Sequence, residues 1–387
     1  MAHPLVDLLA RPRWLVAGLM SGTSMDAIDA ALVEVDGPAP DAAVRVRAFH
    51  ATPHGTDRER LFSLLSASTR ELCDGNAWLG ERFASALVPL HASLREGERI
   101  DLVGSHGQTV WHQPPSQCPR GGTPSTLQLA EPAIIAARSR AITVGDFRVA
   151  DIALGGEGAP LVPWVDWRLF RKPGVRRAMQ NIGGIANVSR VTESLDELVA
   201  FDNGPGNALL DALAPLASSG LDDIDRDGRW SAQGTVQFDL LTHLLADPYL
   251  AQPLPKSTGR ERYGKAQALA WAASNSDRRP VDLLATLAAF SAHAIAESYR
   301  RFLGPIDEVW VSGGGAYNRT LMATIARLLH PIPVAPLLEH GIDASMKEAV
   351  AFALLAVECV TGRAANVPGA TGASGPARLG KICLPPL

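Results

Sequence analysis

Glycine turns and strand-end carboxylates are the parts of this sequence whose residue types and spacing could do chemistry. In residues 18–29, GLMSGTSMDAID, Gly18 and Gly22 let the backbone turn tightly and approach a ligand, while Ser21, Thr23 and Ser24 add hydroxyl donors. Exposed amides in such a turn form an anion nest, so a phosphate could be held there without much net positive charge. Asp26 stands where a carboxylate could hold a magnesium-bound water near that phosphate. The same residues would serve an ordinary solvated hairpin equally well. A second turn, Asn181 with Gly183 and Gly184, and a third, Ser312 with Gly313, Gly314 and Gly315, follow strand-like runs, where glycines and helix N-termini favour phosphate or a nucleotide's polar edge. Each alone is compatible with a structural turn; three in one chain point to a nucleotide clamped between two lobes. Residues 259–265, GRERYGK, have P-loop spacing, but Ala266 stands where Ser or Thr is needed and a proline-rich loop precedes them instead of a strand.

Asp146, Asp151, Asp202 and Glu348 are the acid–base candidates. Asp202 follows a strand and precedes GPGN and a helix, which places it where ligand clefts of α/β proteins lie. The helix N-terminal field there should keep it ionised and able to accept a proton. A plain capping role for a helix beginning near Asn207 is the alternative. His106, in SHGQT at a strand end, could orient a sugar hydroxyl or a phosphate, or simply be a satisfied structural histidine. Neither HExxH nor GxSxG occurs.

The elements that must position these groups are alternating strands and helices. Strands are expected from Arg13 to Leu19, around Ile28–Leu32, at 44–49, from Ile100, at 126–129 and from Ala141, with helices over 58–72 and 78–94. The pattern then restarts at 178–191, with a further strand at 198–201, and two glycine-turned hairpins opening two halves indicate a duplicated architecture. Helices are expected over 281–303, 318–329 and 346–360, a strand at Glu308, and a loop over 247–264. At 387 residues the chain suits two domains, expected at 1–175 and 176–387, with the last helix able to pack back toward the cleft.

Apolar residues make up 47% and charged residues 20%, and 36 basic against 40 acidic residues leave a net charge of −4, which argues against a nucleic-acid partner. Four dispersed cysteines suggest neither a zinc site nor a disulfide framework and fit a reducing cytoplasm. No export signal and no membrane span is read.

Taken in order, GLMSGTSMDAID, SHGQTVWHQP, TLQLAEP, GDFRVADIALGGEGAPLVP, NIGGIANVS, FDNGPGNALLDA, PKSTGRE, SGGGAYN and VTGASGPARLG resemble the anhydro-N-acetylmuramic acid kinases from about Gly18 to the C-terminus. The resemblance implies two actin/hexokinase-like (ribonuclease H-like) α/β lobes with a nucleotide cleft between them, ATP with Mg2+, and a reaction that opens the 1,6-anhydro bond while phosphorylating O6. It carries the family's phosphate-binding stretch onto Ser21 to Asp29, so that Met25, Ala27, Ile28 and Asp29 join the residues named above, and its catalytic aspartate onto Asp202. Sugar recognition would fall to His106, Arg148 and Glu348. The partner implied is a small-molecule sugar, and a homodimer is compatible with the sequence. Ala27 in place of a common glycine, AEP at 130–132 in place of GNP, and an apparent insertion at 117–124 depart from the family's pattern.

Overall fold

The computed structural model describes residues 3–337 and 346–387. Its backbone divides into two compact units, Met1–Leu169 with Ser345–Leu387, and Phe170–Ala344. The first unit carries β1 (Trp14–Ser21), β2 (Ala27–Val35), β3 (Val44–Pro53), β4 (Leu102–Gln113), β5 (Ser125–Leu129), β6 (Ile142–Gly145) and the C-terminal β12 (Lys381–Cys383). The second carries β7 (Arg177–Ile182), β8 (Ile185–Val191), β9 (Val199–Pro205), β10 (Glu308–Ser312) and β11 (Val334–Pro336).

The two sheets repeat one plan. In the first, β3-β2-β1 are antiparallel neighbours and β4 then β6 add in parallel beside β1; in the second, β9-β8-β7 are antiparallel and β10 then β11 add in parallel beside β7. Two antiparallel hairpins followed by two parallel crossovers in each half are the duplication that the glycine-turned hairpins suggested. β5 and β12 extend the first sheet.

Every residue of β1 is buried, as a central strand covered on both faces requires. Leu15, Ala17 and Leu19 point into a core with Leu61, Leu79, Phe83 and Leu90. On the other face lies the last long helix, Lys347–Val360, which packs on β1 and β4. Gly18 pairs with Gly104 across β1 and β4. A Cβ on Gly18 would come 1.8 Å from the carbonyl oxygen of Ala349, and one on Gly104 2.0 Å from that of Phe352. Gly18 therefore serves helix-on-sheet packing, and the expectation that it lets the backbone approach a ligand is corrected.

Three other expectations change. The chain from 346 onward, read from sequence as part of the second lobe, belongs to the first unit: β12 pairs with β6, and Lys347 forms a buried ion pair with Asp166 at 2.8 Å. The helical stretches of 58–94 break elsewhere, at Ser68, whose hydroxyl and the Glu71 carboxylate form a reciprocal capping box opening Thr69–Ser85. The 247–264 loop contains two short helices, Pro248–Ala251 and Arg260–Tyr263. The long periodic segment is helical over Pro280–Ser298 and ends in a π-turn, Tyr299–Leu303, closed by Gly304 at φ +65°.

Candidate active site

The turn between β1 and β2 rests on a buried support. Ser21 donates its hydroxyl to Gln108 Oε1 at 2.6 Å, so His54 Nε2, 3.0 Å away, must donate to Ser21, which fixes the neutral tautomer; burial also depresses this histidine's pKa. Ser21 thus anchors the turn instead of offering a hydroxyl to a ligand. Met25, at φ +55°, and Ile28 are core residues. What remains open is Gly22, Thr23 and Ser24: a Cβ on Gly22 would meet nothing nearer than 3.9 Å, and among the described residues neither the Thr23 nor the Ser24 hydroxyl is hydrogen-bonded. Asp26 is exposed and paired with Arg58 Nη2 at 2.9 Å. Ala27 and Asp29 open β2.

Asp29 belongs to a second cluster of the same unit. Burial, and then the charge of Glu348, raise its pKa to about 6. Glu348 begins the last helix, and although its side chain reaches solvent, the protein around it raises its pKa against the pull of Lys347 and Arg148. Arg148 donates from Nε to His106 Nε2 at 3.0 Å and from Nη1 to the Gly158 carbonyl at 2.8 Å, and burial lowers its pKa to about 10. His106 holds its proton on Nδ1, which donates to the Gly107 carbonyl at 2.9 Å; burial and Arg148 keep the ring neutral. His106, Arg148, Glu348 and Asp29 thus form one electrostatic group. SHGQT lies inside β4, where sequence reasoning ended the strand, because β4 continues to pair with β5.

Asp151 and Asp146 are structural. Asp151 is fully buried and accepts from Gly158 N, Asn366 Nδ2 and Thr371 Oγ1, each at 2.8 Å, and Asp146 pairs with Lys381 Nζ at 2.7 Å. Both tie the C-terminal segment to the first sheet.

In the second unit Asp202 sits within β9, opposite Asn187. It caps no helix; Asn207 is the N-cap of Ala208–Ala217. Asp202 Oδ2 accepts from Ser257 Oγ at 2.8 Å and Thr258 N–H at 2.9 Å, while no donor among the described residues reaches Oδ1. The expected helix field is not what governs it: burial raises its pKa, opposed by Thr258, Ser257 and Lys256. A carboxylate with one oxygen held and the other open, and with its basicity raised, is built to accept a proton.

Gly183 and Gly184 present carbonyls to the amides of Asn207, Gly206 and Ala208. The Arg260 guanidinium lies beside Gly184, 3.5 Å from where a Cβ would stand. Asn181, at the end of β7, is touched by the next turn: Gly313 has φ +82°, and a Cβ there would lie 2.6 Å from Asn181 Oδ1 and from the Ile182 carbonyl oxygen. Gly314 lines a cavity of about 400 Å³ with Asn207, Asp211, Asp225, Asp227 and Tyr317. Desolvation there raises Asp211 to about 6. A pocket of that volume, lined by Leu210, Ile224 and Arg226 as well as by carboxylates, is of a size to admit a nucleoside.

The family model for anhydro-N-acetylmuramic acid kinase matches residues 14–385. The chain belongs to the anhydro-N-acetylmuramic acid kinase family. It is 42% identical over 384 residues to the anhydro-N-acetylmuramic acid kinase of Caldanaerobacter subterraneus subsp. tengcongensis, covering 96% of this chain and 97% of that one. It is 43% identical over 377 residues to that of Gloeobacter violaceus, covering 95% and 98%. Among solved structures, the activator of the 2-hydroxyisocaproyl-CoA dehydratase from Clostridium difficile with bound ADPNP aligns at TM-score 0.43 and 13% identity over 90% of this chain and 96% of that one. As a member of the anhydro-N-acetylmuramic acid kinase family, the chain is a phosphotransferase. No helix among the described residues is long and apolar enough to cross a membrane.

Sequence reasoning missed His54 and Gln108, which support Ser21, and Lys256, Ser257, Thr258 and Arg260, which surround Asp202 and the Gly184 turn. The motif PKSTGRE was the available signal, but its composition reads only as a loop.

Proposed function

We propose that this kinase uses ATP with Mg2+ to open the 1,6-anhydro ring of anhydro-N-acetylmuramic acid by hydrolysis and phosphorylate O6, giving N-acetylmuramic acid 6-phosphate in the cytoplasmic recycling of cell-wall sugar. The observation that carries the reading is the Asp202 carboxylate, pinned through Oδ2 and open at Oδ1. Oδ1 takes a proton from water, the resulting hydroxide oxygen bonds to the anomeric carbon, the carbon–O6 bond breaks, and O6 takes the γ-phosphoryl group as ADP leaves. Arg148, hydrogen-bonded to neutral His106, and the Asp29–Glu348 pair supply one donor and two acceptors for sugar hydroxyls.

The open residues Gly22, Thr23 and Ser24 face the transferring phosphates, Arg260 adds charge beside Gly184, and the cavity at Gly314 takes the nucleoside. Asp26, exposed and with its carboxylate held among the described residues only by surface Arg58, fits the single carboxylate that a well-hydrated magnesium ion needs in addition to phosphate oxygens. When bound, that ion neutralises phosphate charge. ADP release with anhydro-N-acetylmuramic acid, N-acetylmuramic acid and glucose tests the reading. Rapid release with the anhydro sugar alone is expected; release with glucose instead would make this a kinase of another sugar, and slow release indifferent to sugar a nucleotide switch.

A further inference from the structure

Lys256 is a buried cation without a carboxylate within ion-pair distance among the described residues. It is 5% exposed. Its Nζ lies 4.7 Å from the ring centroids of Tyr249 and Phe302 and 5.6 Å from that of Phe201, and donates long hydrogen bonds to the carbonyls of Tyr249 at 3.4 Å and Leu250 at 3.3 Å. The cage is fastened to Asp202 at several points. Phe201 precedes Asp202 in β9, the Tyr249 hydroxyl donates to the Asp202 carbonyl at 2.9 Å, and the Lys256 carbonyl accepts from Asp202 N at 3.4 Å. The two residues after Lys256 are those that hold Oδ2.

We propose that Lys256 is a positioning residue for Asp202: its caged ammonium fixes the 256–258 strap that presents Ser257 Oγ and Thr258 N–H to the carboxylate, and supplies the positive potential that favours the ionised base. The inference rests on Asp202 acting as that base. The charged groups facing Lys256 are Asp202 and Arg301, with the Arg262–Asp247 pair across the Tyr249 ring. Desolvation, and then Arg301, lower the Lys256 pKa from 10.5 to about 8, against the pull of Asp202. Keeping the ammonium buried therefore works against folding at neutral pH, and a cation kept at that cost is better explained by its effect on a neighbour than by stability.

Lys256→Met and Lys256→Arg, with anhydro-sugar turnover followed against pH and melting followed in parallel, test this. Lys256→Met should melt no lower than the parent, lose up to about 10²-fold in kcat/KM through misplacement of the base, and move the acid limb of the profile upward because Asp202 has lost a cation that lowers its pKa. Lys256→Arg should keep the acid limb in place and carry the alkaline limb to higher pH, since guanidinium does not titrate there. An acid limb in folded Lys256→Met that coincides with the parent's overturns the proposal. So does an alkaline limb unmoved by Lys256→Arg, which decides the matter if the Met variant does not fold. Asp202→Asn run alongside separates the two readings: if it turns over normally the base assignment falls, and if it is dead while the Lys256→Met profile is unshifted, only the role of Lys256 falls.

Discussion

The two oxygens of Asp202 are in different situations, and the difference separates rate from stability. Replacing the carboxylate by an amide leaves an oxygen to accept from Thr258 and Ser257 and removes a group whose ionisation burial opposes. Asp202→Asn should therefore melt at or above the parent and still bind ATP, yet lose about 10²- to 10⁴-fold in turnover, the range of a lost general base. Thermal melts beside single-turnover assays check this, and turnover within about threefold of the parent would remove Asp202 from the chemistry. Asp29 gives a prediction about pH. Its folded pKa of about 6 lies above the ordinary 3.8, so the folded protein holds this proton more tightly than the unfolded chain, and stability is lost as pH rises from about 4 to 6. Asp29→Asn should match the parent below about pH 4 and exceed it at pH 7, by well under the full equivalent of that shift because the group is partly exposed and solvent screens its charge. Denaturation curves at the two pH values decide it; a variant weaker than the parent at pH 7 would contradict the assigned shift.

At the scale of elements, glycines that look alike in sequence do different work. Gly18 and Gly104 create the shallow groove in which the helix Lys347–Val360 touches the backbone of β1 and β4, whereas Gly22 faces open space. A methyl group on Gly18 must push that helix away and should cost about 3 kcal/mol or more, at the upper end for overpacking. Gly22→Ala should leave stability within about 0.5 kcal/mol, as surface substitutions do, and weaken ATP binding. Urea titration and nucleotide titration of both variants form the check: an unstable Gly22→Ala, or a stable Gly18→Ala, would reverse the assignment. Gly313 is a poor probe of the proposed nucleotide turn, because its positive φ and a contact of 2.6 Å would strain any larger residue. Gly314→Ala, whose Cβ would approach only the Asn207 amide at 3.4 Å, is the sounder one.

At the scale of the whole molecule, the first unit is closed by the end of the chain. The last helix covers its central strands, β12 adds to its edge, and Asn366 and Thr371 satisfy the buried Asp151. The ion pair between Lys347 and Asp166 locks this return, with side chains only 7% and 3% exposed. Lys347→Met removes the buried Lys347–Asp166 pair and should cost about 3 kcal/mol or more, the scale of breaking a buried pair. Hydrogen exchange would show faster exchange through the helix Lys347–Val360, and adding Asp166→Asn should recover part of the loss. Unchanged exchange in that helix would mean the pair does not hold it.

Hydrophobic periodicity and glycine turns in the sequence sufficed to determine the strand–turn–strand openings of both halves, the long helix ending near Leu303, the start of a short strand near 198, though not that it runs on through Asp202, and the motifs that mark the family. All of these depend on neighbours within a few residues. The tertiary structure alone decided the rest, because burial and partnership are properties of space. That Ser21 is spent on Gln108 and His54, that Gly18 meets a helix more than 300 residues onward, that Asp202 is governed by burial instead of a helix field, and that a lysine in a proline-rich loop is a caged cation all depend on groups brought together from distant sequence. The tail's return to the first unit has the same origin: the groove made by Gly18 and Gly104, the pairing of β12 with β6 and the Lys347–Asp166 pair all join residues far apart in the chain, which local sequence pattern does not report.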